Sequence, residues 1–484
     1  MPPTSLFSRI RRGLSALRFK NRWNAPFGYR ELLSLALPLV LSNIATTIMM
    51  FTDRVFLSRH SLLSIAAAFP SGIMYFFIQS FFFGLVTYTG VFAAQYAGAG
   101  KPRRAAASLW QGLRLGIFVG VALYSLFFVS GRIFALAGHS PELVREETVY
   151  FDTLLWVTPA ALAAAAMSSF LASVGRVRLV MWINLAATAL NIPLDYLLIF
   201  GFRVFGLECP ALGIFGAALA TDVSALFAAV LFACFCFNKS MDKSFGVWSV
   251  WRTDFPLLGK LLKYGYLSGI QLTLEIFGMA FFAFAMSRMD ELTLAASNIV
   301  FSIEGVTFFP ILGMGQAVSI MVGHAVGRGR PEDGSRAAVS GIVLSSIYVF
   351  VLLLCFFSFP GFFLGVFMPD HLDPAVLGGV IALGTVMLRF VVLYSFFDGF
   401  YVCCFGVMRG SGDVLFPMLA MGFWSLFGLI VPIFIVFHFQ AASVYTLWTC
   451  MVSWVILLSL TFAWRFWSRR WMTKRVIEAY DLSD

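Results

Sequence analysis

Twelve apolar runs, each long enough to cross a bilayer, take up most of this chain of 484 residues. They fall at about 33–57, 63–95, 107–130, 146–173, 179–201, 212–237, 257–287, 293–325, 337–359, 376–408, 414–437 and 442–466. Hydrocarbon about 30 Å thick needs about 20 helical residues, so every run suffices and the longer ones have room to tilt or bend. Composition points the same way. The chain is 60% hydrophobic and 12% charged, whereas a soluble domain carries about 25% charged residues. Its 55 Phe and 12 Trp offer more apolar surface than one soluble core could hide. The expected fold class is an all-α integral membrane protein with twelve transmembrane helices.

Twelve crossings place both termini on one side of the membrane. Lys and Arg gather at the N-terminus, at Lys101–Arg104, at Arg176 and Arg178, between 239 and 263, at Arg328 and Arg330, at Arg409, and beyond Arg465. The alternate connections are poor in them, so both termini are expected to be cytoplasmic. The net charge of +10 therefore follows membrane topology and does not form a nucleic-acid face. No cleavable leader is expected, because no short apolar region with a small-residue cleavage site follows the basic N-terminus. Residues 6–19 could lie as a basic amphipathic helix on an anionic leaflet or form a charged tail. The seven Cys sit mostly inside apolar runs, where they act as small hydrophobes, and their spacing matches no metal or haem site.

The chain repeats itself. QYAGAGKP at 95–102 matches HAVGRGRP at 324–331, and SVGRVRLVM at 173–181 matches GSGDVLFPM at 410–418. HSP at 139–141 resembles HLDP at 371–374, each a helix cap followed by Pro at the first helical position. Offsets near half the chain length mean two homologous six-helix halves. An even number of spans gives them the same orientation, related by an axis along the membrane normal. The expected organisation is a basic cytoplasmic segment at 1–30, an N-lobe at 31–237, a cytoplasmic linker at 238–256, a C-lobe at 257–466 and a cytoplasmic tail at 467–484. Two parallel bundles around a central cleft are the layout of a transporter.

Several carboxylates sit inside the apolar runs. A charge at the bilayer centre costs about 2.5–3.5 kcal/mol on insertion scales, so such an acid is a functional candidate. At 1.5 Å per residue, Glu275 lies about 18 Å beyond Lys263 and Asp398 about 16 Å before Arg409, which puts both near mid-membrane. Tyr394 precedes Asp398 by one helical turn and shares its face. Glu304 is a further candidate at similar depth. In the first half, Asp53, Asn191, Asp195 and Thr221 form an oxygen-rich set that could take Na⁺ or share a proton. A salt bridge from Asp53 to Arg54 or Arg59 is the bland alternative, and a buried neutral carboxyl is the bland alternative for the C-lobe acids. Asp222 points about 100° away from Thr221 and reads as structural. Pro38 breaks the backbone ladder of the first span and marks where it can bend. Pro70, Pro159, Pro193, Pro310 and Pro432 are weaker candidates for the same role. Arg389 either reaches the outer interface or pairs with an acid in the cavity.

These residues together resemble the multidrug and toxic compound extrusion (MATE) family. The resemblance is carried by the two halves with their paired Gly-rich loops, Pro38 with Asp53, NIPLD at 191–195, GAALAT at 216–221, Glu275, and Tyr394–Asp398 before RGSGD, and it covers residues 30 to 466. It implies two six-helix lobes flanking a V-shaped cleft, and export of amphipathic, often cationic compounds driven by entry of Na⁺ or H⁺. Carried onto this chain, the N-lobe cation or proton site is Asp53, Asn191, Asp195 and Thr221, and the C-lobe site is Glu275, Tyr394 and Asp398. The chain departs from the family in holding both sets, and Glu304 and Arg389 have no place in the family pattern. No catalysis, cofactor, or metal other than Na⁺ is implied, and the expected protein is a monomer in the plasma or inner membrane. A flippase for a lipid-linked saccharide is the alternative. Its phosphates would call for basic residues in the cleft, and only Arg389 speaks for that. A membrane-embedded transferase would want paired metal-binding acids or a His/Asp pair near a membrane face, and neither pattern is found.

Overall fold

The computed structural model describes residues 22–204, 207–366 and 374–478. The basic stretch at 6–19 and residues 371–373 of the HLDP motif lie outside these. Eighteen α-helices follow one another among the described residues. The first nine are α1 (Tyr29–His60), α2 (Leu62–Thr87), α3 (Thr89–Gly98), α4 (Pro102–Ala122), α5 (Ser130–Leu136), α6 (Pro141–Trp156), α7 (Thr158–Ser173), α8 (Val177–Phe200) and α9 (Gly213–Cys236). The rest are α10 (Lys239–Phe245), α11 (Phe255–Met286), α12 (Glu291–Gly327), α13 (Pro331–Ser358), α14 (Pro360–Val366), α15 (Pro374–Ser411), α16 (Leu415–Trp424), α17 (Val431–His438) and α18 (Val444–Trp467). Among the described residues eleven spans are long and apolar enough to cross a membrane, and counting the pair α6–α7, bent by 49°, as one broken span brings the number to twelve. A two-stranded antiparallel ribbon, β1 (Phe202–Val204) against β2 (Leu207–Cys209), is the departure from helix between α8 and α9. Flanked by apolar spans, it read as a loop from sequence.

Helix ends are set by short polar caps and Pro. Ser61, Ser140, Asn238, Asp254, Asp290 and Ser443 each accept a backbone N–H from the first turn they precede, satisfying donors that lipid cannot. Pro141 stands at the start of α6, as the HSP motif anticipates. Mid-span breaks are subtler. The run at 62–98 changes from α2 to α3 at Tyr88, and α16 passes into α17 through a π-helical turn at Ser425–Ile430, just ahead of Pro432.

The internal repeat is a backbone repeat. Gly100 and Gly329 have φ of 71° and 69°, and Gly175 and Gly412 have 86° and 95°. Each ends a helix in the left-handed conformation that Gly adopts without strain. The amides that follow them, Lys101, Arg330, Arg176 and Asp413, reach back to the carbonyls of Tyr96, Ala325, Leu171 and Met408 at 2.8–2.9 Å. Each half therefore closes the same two turns in the same way.

The two halves form two lobes, α1–α9 and α11–α18, and they touch toward the end at which the described residues begin and end. There the repeated loops pack on each other around the pseudo-two-fold axis. A Cβ on Gly98 would sit 2.3 Å from the carbonyl oxygen of His324, and one on Gly327 would sit 2.0 Å from that of Gln95. Gln95 and His324 are themselves equivalent in the repeat, so the contact is self-complementary. Around it, Gln95 donates to the Gly410 carbonyl at 2.8 Å, His324 donates to the Ser173 carbonyl at 2.7 Å, and Arg409 donates to the Thr87 hydroxyl at 2.9 Å. Tyr88 stacks on Tyr264 with ring centroids 6.2 Å apart. The chain after α18 returns to this seam. Trp471 is fully buried, Val476 donates its N–H to Gln95 at 3.0 Å, and Glu478 accepts from Tyr96 and Lys260.

Toward the far end, the facing helices carry exposed side chains such as Ile48, Phe51, Phe69, Ile73 and Phe76. The last cross-lobe pairs on that path are Ser80 with Thr273 at 3.3 Å and Phe77 with Phe277.

Candidate functional site

In the N-lobe, α1 carries Asp53, α6 carries Tyr150, and α8 carries Asn191 and Asp195. Asn191 and Asp195 are one turn apart and fully buried, and Asp53 is nearly so. The Tyr150 hydroxyl donates to Asp53 Oδ2 at 3.2 Å. The remaining oxygen of Asp53, both oxygens of Asp195 and both amide atoms of Asn191 have no hydrogen-bond partner among the described residues. Pro193, between them, has no N–H for the carbonyl of Ala189, so α8 leaves a backbone acceptor unserved at this level. Thr221 on α9 is half-buried. Among the described residues Asp53 forms no ion pair with Arg54 or Arg59, and Arg54 lies 5.5 Å over the ring of Phe69.

Asp222, the neighbour of Thr221, is also buried, and neither of its carboxylate oxygens has a partner. It falls on the side of Tyr75, whose hydroxyl pairs with Thr158 at 3.2 Å and accepts from Gln79 at 3.0 Å. Its direction away from Thr221 does not take it to lipid, because α9 packs between α8 on one side and α6 and α7 on the other.

In the C-lobe, Glu275 on α11 accepts from Gln271 Nε2 at 2.8 Å. Tyr394, Asp398 and Tyr401 follow one another on a single face of α15, all buried. Glu304 on α12, the helix packed most extensively against α15, is buried as well. Asp398 faces both Glu275 and Glu304, Tyr394 stands beside Glu304, and Tyr401 stands beside Glu275. The hydroxyls of Tyr394 and Tyr401 close no hydrogen bond of ordinary geometry. Arg409, two turns beyond Tyr401 on α15, is a cation whose charge reaches Glu275, but its guanidinium is engaged by Thr87. Arg389 lies elsewhere: it is exposed and stacks 5.8 Å over Phe357 near the far end of α13, so it pairs with no cavity acid.

Both clusters leave carboxyls in apolar surroundings without a fixed positive partner. An ionised carboxylate there is costly until a proton or a cation neutralises it. Among the described residues, no three His, Cys, Asp or Glu converge as a metal cage. A cation would therefore have to share tyrosine, amide and backbone oxygens with at most two acids. Sequence reasoning passed over Tyr150, Gln271 and Tyr401. The last two were readable: Gln271 is four residues before Glu275, and Tyr394–Asp398–Tyr401 follow an i, i+4, i+7 pattern. Tyr150 carries no such signal, since only the approach of α6 to α1 brings it to Asp53.

Comparison with known proteins places these residues in a family context. The MatE family model matches residues 38–197 and 268–434. A probable multidrug resistance protein NorM of Mesorhizobium japonicum is 30% identical over 430 residues, covering 87% of this chain and 89% of the relative. A second, from Rhodopseudomonas palustris, is 30% identical, with 90% and 91% covered. Among solved structures, a MOP superfamily transporter from Pyrococcus furiosus superposes with a TM-score of 0.83 at 19% identity, over 94% of this chain and 98% of that one. At that identity the likeness speaks for the fold.

Proposed function

This chain belongs to the MatE family, and we propose that it exports amphipathic, often cationic compounds from the cell in exchange for Na⁺ or H⁺ by alternating access. The observation that carries this reading is the pair of buried carboxylate clusters, one per lobe, whose acids lack a fixed counter-cation. Such a group has two states of very different cost in a low-dielectric interior, neutralised and bare. A lobe that binds the ion in one arrangement and releases it in the other converts that difference into a bias between arrangements. The drug is displaced because it prefers the opposite arrangement, and it need not touch the ion. Entry of each charge supplies about 2.3 kcal/mol per 100 mV, before any concentration term.

Asp53, Asn191, Asp195 and Thr221 serve the N-lobe in this reading, and Glu275, Tyr394 and Asp398 the C-lobe, with Glu304 the third acid of that lobe. Both termini face the cytoplasm, because the Lys/Arg-rich connections share their end of the molecule. The lobes then part toward the outside, which is the arrangement suited to ion entry and drug release. The protein works as a monomer in the inner or plasma membrane. A lipid-linked saccharide would need cationic groups in the cleft for its phosphates, and Arg389, exposed and stacked over Phe357, pairs with neither acid cluster.

The experiment is counterflow in proteoliposomes loaded with an organic-cation dye, with a Na⁺ gradient and a pH gradient imposed separately. Efflux that follows one gradient and is lost in Asp53→Asn or Asp398→Asn supports the reading. Efflux indifferent to both gradients removes ion coupling from it.

A further inference from the structure

A groove of about 550 Å³ opens at the terminal end, where the first turn of α4 in the N-lobe meets the linker and the first turn of α11 in the C-lobe. Arg103, Arg104 and Arg252 line it, together with Asp254 and Phe255. Its single acid is already committed: Asp254 holds Arg104 at 2.6 Å and caps α11 by accepting the Leu257 N–H at 3.0 Å. Arg103 and Arg252 have no ion pair among the described residues and leave the groove with a net charge of about +2. The N-terminus of α4 adds positive potential, since Lys101 gives it no side-chain cap. The floor is apolar, made by Ala107 and Val250. Phe255 lines it and is 74% exposed, and Trp251, between the lining residues Val250 and Arg252 in the chain, is 57% exposed, as aromatic residues are at the headgroup level of a membrane.

We propose that this groove binds the phosphate headgroup of an anionic glycerophospholipid from the leaflet facing the chain termini. Two unpaired guanidiniums suit a phosphate, which accepts their paired N–H donors in a fixed geometry. The apolar floor and exposed aromatic rings suit the glycerol backbone and upper acyl chains. A soluble phosphate would gain nothing from these, and that selects a lipid over a free anion. Basic pockets between transmembrane helices at a membrane face take such headgroups. The groove joins the two lobes through Arg104 and Asp254, so a bound lipid favours the arrangement in which those residues meet.

The test is native mass spectrometry of the full chain released from nanodiscs of phosphatidylcholine with phosphatidylglycerol. The wild-type protein should retain phosphatidylglycerol in preference to phosphatidylcholine. Arg103→Gln/Arg252→Gln should weaken that retention on the order of 25-fold, about fivefold for each removed cation. Arg176→Gln/Arg178→Gln, exposed cations at the same end but outside the groove, should retain it as wild type does. Equal retention by the groove variant and wild type, with matching melting temperatures, overturns the proposal. So does displacement of the lipid by millimolar inorganic phosphate, which would make the groove a free-anion site.

Discussion

At the scale of single residues, burial without a partner separates the acids proposed for ion exchange from those held in fixed ion pairs. Asp413 is also buried, but Arg465 grips both its oxygens at 2.7 and 3.1 Å, so it is a fixed ion pair and no candidate for ion exchange. Asp53 has one partner, the Tyr150 hydroxyl. If that hydroxyl acts only through Asp53, Tyr150→Phe should lower dye-binding affinity several-fold in the wild-type background and have no further effect on it once Asp53→Asn is present. Independent losses in this double-mutant cycle would give Tyr150 a separate role. Glu478 offers a pH test outside the membrane. Burial pushes its carboxyl up, but the hydrogen bond and charge of Lys260 and the Tyr96 hydroxyl outweigh that, leaving it lowered from 4.5 to about 2. A depressed folded value stabilises above the unfolded value and loses that contribution as pH falls from 4.5 toward 2. Half of this side chain is exposed, so the contribution is at most about 1 kcal/mol. Glu478→Gln should lower the melting temperature slightly at pH 7, and the difference from wild type should shrink steadily below pH 4.5. A difference that is constant across that window would assign the loss to packing.

At the scale of elements, α1 runs unbroken from Tyr29 to His60 with Pro38 buried inside it. Proline gives the Ser34 carbonyl no donor and costs about 3 kcal/mol relative to Ala in a helix interior. Pro38→Ala should therefore leave the fold at least as stable while cutting efflux tenfold or more, if α1 must bend to bring Asp53 to or from Asp195. Efflux and drug affinity both unchanged by the substitution would leave rocking of rigid lobes as the mechanism. The spans were legible in the sequence because lipid demands about 20 apolar residues whatever the neighbours are. Their internal breaks were legible in part: Pro159 stands at the kink between α6 and α7 and Pro432 just past the π turn at Ser425–Ile430, but the junction at Tyr88 carries no local mark. The same divide runs through the sites. Asp53, Asp195, Glu275 and Asp398 stand out as charges in apolar runs. Asp222 was discounted on helix geometry, which gives a direction and not what lies there; the packing of α9 on three sides buries it.

At the scale of the molecule, the seam between the lobes is a near contact of backbones. Gly98 and Gly327 let the two repeated loops touch with no side chain between them, and Gly84 and Gly269 do the same where α2 crosses α11, with a Cβ on Gly84 falling 2.8 Å from the Gly269 Cα. At these points the lobes can part without dragging side chains past one another, whereas Tyr88 and Arg409 must give up Tyr264 and Thr87. Gly327→Val should wedge the terminal end open, so a cysteine introduced at that end should react faster with a soluble thiol reagent than in the wild-type background, while span insertion stays normal. Unchanged labelling would mean that the loops yield without the lobes moving. The seam also sets a schedule. Gln95 receives the amide of Val476, 381 residues later in the chain. At about 5–20 residues per second of synthesis, the first lobe waits roughly 20–75 seconds in the membrane before that partner emerges. Within that interval the C-lobe's own loop, with His324 and Gly327, covers part of the N-lobe loop, and the segment from Trp471 to Glu478 completes the cover.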